Sequence, residues 1–220
     1  MAIDLARAAE TLDYYLIRSV AADTPEGIVV EEFVFAGDHT ALGLHTAGWT
    51  AADRRWWTSA DFGRAMRADA AVRARVVAVD RRQAADAYRR LGGGELPGEP
   101  TLRVHFGDPL PLAVSAPLRL DPEPVPDGYR EVRVYRLLFA GDPAPERLAN
   151  LSSVATRSAG ADEFVCQVRR IGAGVAWCVD LTVRRGSAGS DEDRIAGMVR
   201  GLAGQARRYG LILVTIERFR

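Results

Sequence analysis

Lysine is absent from this chain of 220 residues: all 29 basic residues are arginine, and 29 acidic residues balance them. Without a lysine amine the chain cannot form a Schiff base, attach pyridoxal phosphate or bind phosphate through a Walker-type lysine. The formal charge of zero gives no overall field that would draw the protein to nucleic acid or to an anionic membrane. Several enzyme classes are thereby excluded, and nucleic acid becomes a disfavoured partner, although not an excluded one.

Long apolar runs and cysteines are also scarce. No stretch approaches the roughly 18 apolar residues that a membrane-spanning helix needs, and residues 1–7 lack the basic and apolar regions of a signal peptide. Two cysteines without an export signal are typical of reduced thiols, which predicts a cytoplasmic protein with no membrane partner. No metal or other cofactor is expected, because the sequence has neither a His-Glu-x-x-His motif nor a two-cysteine cluster.

Two α+β domains joined by a proline-rich linker are predicted. Six prolines lie between Asp108 and Gly128, a density that interrupts regular structure. We therefore expect an N-terminal α+β domain over residues 1–121, a linker over 122–128 and a second domain over 129–220.

Local patterns divide the N-terminal half into helices and strands. Apolar residues at spacings of three and four predict a helix over residues 3–22. Asp80 with Gln83 resembles a capping box that begins another helix, and Ser59 can cap a third. Runs rich in valine and phenylalanine predict strands at 28–35, 40–46, 76–79 and 101–106.

The C-terminal half alternates strands and helices in the order β-α-β-β-α-β. Asp142 and Ser190 supply helix starts. This order is that of a ferredoxin-like fold, an antiparallel sheet with two helices on one face. The four strands are predicted at 131–139, 163–171, 174–183 and 211–219.

The predicted central hairpin determines which side chains share a face. A two-residue turn at 172–173 places Val168 opposite Trp177, on an apolar face that the helices would cover. Cys166 and Cys178 then point to opposite faces, which excludes a disulfide bond between them.

The other face of that sheet is the candidate site. In the strand order 4-1-3-2, Arg133 and Tyr135 would lie near Asp180 and Cys178 on one side and near Glu217 on the other. One arginine between two carboxylates, beside a thiol, can recognise a ligand or take part in catalysis. The alternative is a solvated or domain-covered face with an ordinary salt-bridge network.

Trp56 and Trp57 follow Arg54 and Arg55 in a second candidate segment. Aromatic side chains beside arginines can stack nucleobases or form a partner-binding hot spot. Because adjacent residues of a regular element cannot both face one core, we expect at least one tryptophan to pack between the halves or across a dimer.

Three functions remain open. The leading hypothesis is a non-catalytic binding or assembly protein, with a protein partner or a homodimer, because no catalytic signature accompanies the many aromatics and arginines. The first alternative is a small cytosolic enzyme that binds a small-molecule ligand in an interdomain cleft and uses Asp180, Glu217 and His45. The second alternative is a binder or processor of structured RNA.

Overall fold

The computed structural model describes residues 12–112, 124–143, 157–159, 162–171, 176–186 and 192–219. These residues form a mixed α+β structure with two antiparallel sheets and five helices. None of the described helices is long and apolar enough to cross a membrane. Unit 1 comprises Met1–Val34 and Leu42–Leu112, and unit 2 comprises Phe35–Ala41 and Ala113–Arg220. The predicted linker at 122–128 lies partly outside the described residues, and the predicted domain boundaries stay a prediction.

Unit 1 is built on a sheet with the strand order β4-β3-β2-β1-β5, in which β6 also pairs with β3. Its hydrophobic core includes the buried side chains of Tyr14, Val30, Trp49 and Leu102. The strands are β1 (Asp13–Arg18), β2 (Pro25–Phe35), β3 (Ala41–Thr50), β4 (Trp56–Thr58), β5 (Val76–Val79) and β6 (Leu110–Pro111).

Two of the four helices described in unit 1, α2 and α3, begin at a side-chain cap. Asp80 and Gln83 form the predicted capping box at the start of α3, each side chain bonding the other residue's backbone N–H. Ser59 occupies the N-cap position of α1, but its side chain makes no capping hydrogen bond. The helices are α1 (Ala60–Ala68), α2 (Ala70–Ala74), α3 (Arg81–Arg90) and α4 (Glu99–Arg103).

Two predicted elements of this half are wrong. Residues 13–18 form strand β1 instead of part of a helix, because β1 pairs with β2 on one side and β5 on the other. Tyr14 and Tyr15 are both buried, so the strand lacks the alternation that would have identified it. The strand predicted at 101–106 is replaced by α4, whose start is favoured by Pro100 and by an acidic first turn.

Unit 2 is built on an antiparallel sheet with the order β11-β7-β10-β9-β8. The order of the four predicted strands is therefore the expected 4-1-3-2, with β8 added beside β9. The helix predicted after Asp142 lies outside the described residues, so the full β-α-β-β-α-β arrangement stays a prediction. The strands are β7 (Glu131–Ala140), β8 (Arg157–Ala159), β9 (Asp162–Ile171), β10 (Ala176–Arg185) and β11 (Ile212–Arg218).

The β9–β10 hairpin differs from its predicted register by two residues. Val168 pairs with Val179 and not with Trp177, because the strands end at Ile171 and Ala176 and leave four residues between them instead of two. An even shift preserves the faces, since side chains alternate with a period of two. The predicted grouping of side chains by face is therefore confirmed although the register is wrong.

Helix α5 (Glu192–Arg208) covers the apolar face of this sheet. It contacts β7, β10 and β11, and its inward side chains include Ile195, Val199 and Leu202, which are buried. Leu137 and Leu181 are fully buried on the same side of the sheet. The opposite face carries Arg136, Arg169 and Asp180.

Candidate functional site: the charged face of the second sheet

The charged face consists of the even-numbered residues of β7 and β10, the odd-numbered residues of β9, and Thr215 and Glu217 of β11. These residues share a face because directly paired residues of antiparallel strands point to the same side. The central row of this face crosses four strands in the order Gln167, Asp180, Arg136, Glu217.

Asp180 is the best-bonded group of the row. Arg136 binds it with a two-pronged contact, donating from Nε to Oδ1 at 2.7 Å and from Nη2 to Oδ2 at 2.9 Å. Arg169 donates from Nε to Oδ2 at 2.9 Å and again from Nη2. The side chain of Asp180 is 11% exposed, that of Arg136 21% and that of Arg169 46%. Both carboxylate oxygens are thus occupied by guanidinium groups at the edge of solvent.

Arg136 and Cys178 are fixed by their surroundings. The hydrogen bond to Asp180 raises the pKa of Arg136 above its ordinary value, and its guanidinium lies 4.2 Å from the ring centroid of Phe219. Burial raises the pKa of the Cys178 thiol, which is further raised by the charge of Asp180. Because the thiolate is the nucleophilic form, this cysteine is poorly suited to covalent catalysis at neutral pH.

Arg133 and Tyr135 do not lie beside Asp180. They pair with Val183 and Leu181 on the apolar face, so the arginine between Asp180 and Glu217 is Arg136. The predicted neighbourhood is wrong because odd-numbered residues of β7 were assigned to the charged face. The side chain of Tyr135 is buried. Arg133 forms ion pairs with Glu131 and Glu192, which lie at the end of the sheet.

These acidic residues form an ion-pair network around Glu131 and Glu192. Arg133 donates to both at 2.8 Å, and Arg185 pairs with the same two carboxylates at 2.9 and 3.0 Å. His39 lies 3.5 Å from Glu192. The hydrogen bond from Arg133 lowers the pKa of Glu131. Burial raises the pKa of Glu192, but the bond and charge of Arg133, together with the charge of Arg185, lower it overall.

The tryptophan segment packs within unit 1. Trp49 meets Tyr88 edge-on at 4.6 Å between ring centroids, and Trp56 stacks on His105 at 6.0 Å. Trp56 and Trp57 are half-buried and pack against the unit 1 core. Trp57 occupies the space above Gly48, where an added Cβ would lie 2.6 Å from its ring. These contacts within unit 1 are enough to explain why Trp56 and Trp57 are half-buried, and no contact with a second protein is needed to explain it.

His45 and the acidic candidates lie in different units. The Nδ1 atom of His45 lies 3.1 Å from the carbonyl oxygen of Gly107, and its ring stacks on Phe106 at 5.5 Å. Asp180 and Glu217 belong to unit 2. Across the part of the chain that is described, no three His, Cys, Asp or Glu side chains converge as a metal site would require.

Unit 1 also has an open groove of about 460 Å³, lined in part by Arg18, Val20 and Arg75. Arg18 donates to Asp23 at 3.0 Å, and Arg75 pairs with Glu26. No residue selected from the sequence lines this groove. It therefore adds nothing to the catalytic alternative.

A buried ion pair in unit 1 was not foreseen. Arg67 donates from Nη1 and Nη2 to the two oxygens of Glu31, each at 2.9 Å, and their side chains are 7% and 0% exposed. Burial lowers the pKa of Arg67, but the charge and hydrogen bonds of Glu31 raise it above its ordinary value. The hydroxyl oxygens of Thr46 and Ser59 are buried in the same unit without a hydrogen-bond partner.

Sequence reasoning also missed Arg136 and Arg169. Arg136 is the only charged residue between Val134 and Ala140, and a charge inside such a run requires a partner. The isolated charge of Arg136 could therefore have been recognised from the sequence. Strand alternation alone already puts Arg169 on the same face as Gln167, but only the observed register places it opposite Cys178 and diagonal to Asp180. No family model, no curated protein and no solved structure matches the chain.

Proposed function

We propose that this protein is a non-catalytic assembly protein that associates with itself through a sheet face. The charged face carries the proposal, because it offers side chains of both signs beside half-buried apolar ones. Exposed sheet faces of mixed character resemble the composition of protein–protein interfaces more closely than that of ligand pockets. The half-buried apolar residues of the face include Val134, Leu138 and Val165.

The arrangement of the acidic residues argues against catalysis. A general base needs an accessible lone pair within reach of its substrate, and both oxygens of Asp180 accept hydrogen bonds from arginines. The Cys178 thiol has a raised pKa. We therefore prefer assembly to the catalytic alternative, and RNA binding stays an untested hypothesis.

Two finer features belong to the same proposal. We infer that unit 2 has the ferredoxin-like arrangement, on the support of the strand order and of α5 on the apolar face. We also infer a cytoplasmic location, in keeping with two cysteines that form no disulfide bond.

Light scattering coupled to size-exclusion chromatography tests the proposed self-association. We expect a mass near twice the chain mass of 23.9 kDa, with a monomer appearing only on dilution toward about 1 µM. A mass of one chain at every concentration up to about 200 µM would contradict the proposal. As a control for charge, Arg89→Glu in α3 should leave the mass unchanged, because Arg89 is exposed and belongs to unit 1.

A further inference from the structure

We infer that the charged face binds a second copy of itself about a two-fold axis that runs along the strands, between β7 and β10. This inference rests on the proposed self-association and specifies its geometry. The axis would be central to the row, with Asp180 on one side of it and Arg136 on the other.

The order of charges across the row selects this axis. Starting at β9, the guanidinium of Arg169 is followed by Asp180, Arg136 and Glu217, which gives the signs plus, minus, plus, minus. A two-fold axis along the strands reverses the order in the second copy, so every charge meets the opposite sign. Asp180 then faces Arg136 of the second copy, and Arg169 faces Glu217 of the second copy.

The other in-plane axis gives the opposite result. A two-fold axis across the strands would place β9 on β9 and β10 on β10, so that each charge would meet itself. Like charges in direct contact destabilise an interface. The sign pattern therefore favours one docking mode over the other on electrostatic grounds alone.

Apolar side chains lie on both sides of the charged row, with Leu138 on one side and Val134 and Val165 on the other. The same axis places Val134 against Thr182 of the second copy. Sheets that pack face to face cross at about 30°, which an axis tilted by about 15° from the strands provides. Four strands about 4.8 Å apart give a face about 19 Å wide, and the ten-residue strands give it a length of about 33 Å. The resulting area of roughly 630 Å² lies at the lower end of the roughly 600–1,000 Å² per partner of a standard interface.

Opposite charge reversals in separate chains test this geometry. Arg169→Glu alone should abolish the dimer, because the new glutamate faces Glu217 of the second copy. Glu217→Arg alone should abolish it equally, because two arginines then face each other. An equal mixture of the two variants should form a heterodimer, since both contacts again join opposite charges. Within one chain, β9 and β11 are separated by three inter-strand spacings, or about 14 Å. Residues 169 and 217 of the same copy therefore cannot pair, and a restored dimer in the mixture must come from contacts between two copies.

A second pair of variants leaves every native ion pair intact. Gln167 is exposed on β9 in the charged row and would lie over Glu217 of the second copy. We expect Gln167→Arg to tighten the dimer and Gln167→Glu to weaken it. Two symmetric contacts of about 0.2–1 kcal/mol each correspond to a roughly 2- to 30-fold change in Kd in each direction.

The outcomes separate the inference from the proposed function. A wild-type dimer that none of these four variants changes would overturn the inference while leaving self-association intact. A wild-type chain that is monomeric at all concentrations would overturn both. Failure of the mixture to form a heterodimer, with both single variants folded by circular dichroism and monomeric, would also overturn the inferred axis.

Discussion

The buried ion pair of unit 1 gives the sharpest stability prediction. In Arg67→Met, Glu31 loses both hydrogen bonds at a position where its side chain is 0% exposed. Removing one partner from a buried ion pair leaves an uncompensated charge and typically costs about 3–5 kcal/mol. We expect a loss of that size, because the carboxylate has no access to water.

Urea unfolding followed by circular dichroism measures this loss as a change in the free energy of unfolding. For a chain of this length, about 3–5 kcal/mol corresponds to a decrease in Tm of roughly 6–20 °C. Adding Glu31→Gln to Arg67→Met should recover part of the loss, since the double variant buries no charge.

Arg103→Met is the matched control. Arg103 also binds a glutamate with two prongs, donating from Nε and Nη2 to Glu32 at 2.8 Å each. The side chains of this pair are 34% and 26% exposed, so solvent screens the charges and the expected cost is at most about 1 kcal/mol. If Arg67→Met cost no more than Arg103→Met, burial would not determine the strength of these pairs and the reasoning would be refuted.

Three further predictions concern polar groups in both units. Asp180→Asn should lower the free energy of unfolding by about 1–2 kcal/mol, because it removes the charge shared by two arginines but keeps an acceptor; an unchanged urea midpoint would contradict this. Since the hydrogen bond from Arg133 holds the pKa of Glu131 below its ordinary value, the unfolded state binds more protons, and urea midpoints should fall as the pH drops below about 4.3; a flat profile there would contradict it. Thr46→Val should be neutral or stabilising by up to about 1 kcal/mol, because its hydroxyl is buried without a partner. Thr50→Val should instead be destabilising, because that hydroxyl donates to Asp53 at 2.8 Å.

Local signals in the sequence predicted the elements whose determinants are local. The capping box of Asp80 and Gln83 fixed the start of α3 correctly, since both bonds lie within four residues. It was also predictable which side chains of the β9–β10 hairpin share a face. A register shift of two residues leaves every side chain on the same side of the sheet.

Elements whose determinants are non-local were predicted less well. Strand β1 owes its conformation to β2 and β5, which lie on either side of it. Leu12, Tyr15 and Leu16 fit helical spacing equally well. The neighbour of Asp180 depends on the pairing of β7 with β10, over 44 residues of sequence. No local pattern contains the register of that pairing, and the assignment of odd-numbered residues of β7 to the charged face led to Arg133 instead of Arg136.

The absence of lysine acquires a structural meaning from these contacts. Two-pronged binding of a carboxylate requires the planar fork of a guanidinium, which an ammonium group cannot provide. Arg136 with Asp180, Arg67 with Glu31 and Arg103 with Glu32 all use this geometry. A carboxylate held on both oxygens is a poor general base but a rigid, oriented part of a surface. In this chain the carboxylate of Asp180, which a catalytic interpretation requires, is therefore held in place by arginines, and a fixed pattern of alternating charge is what the proposed recognition between two sheet faces needs.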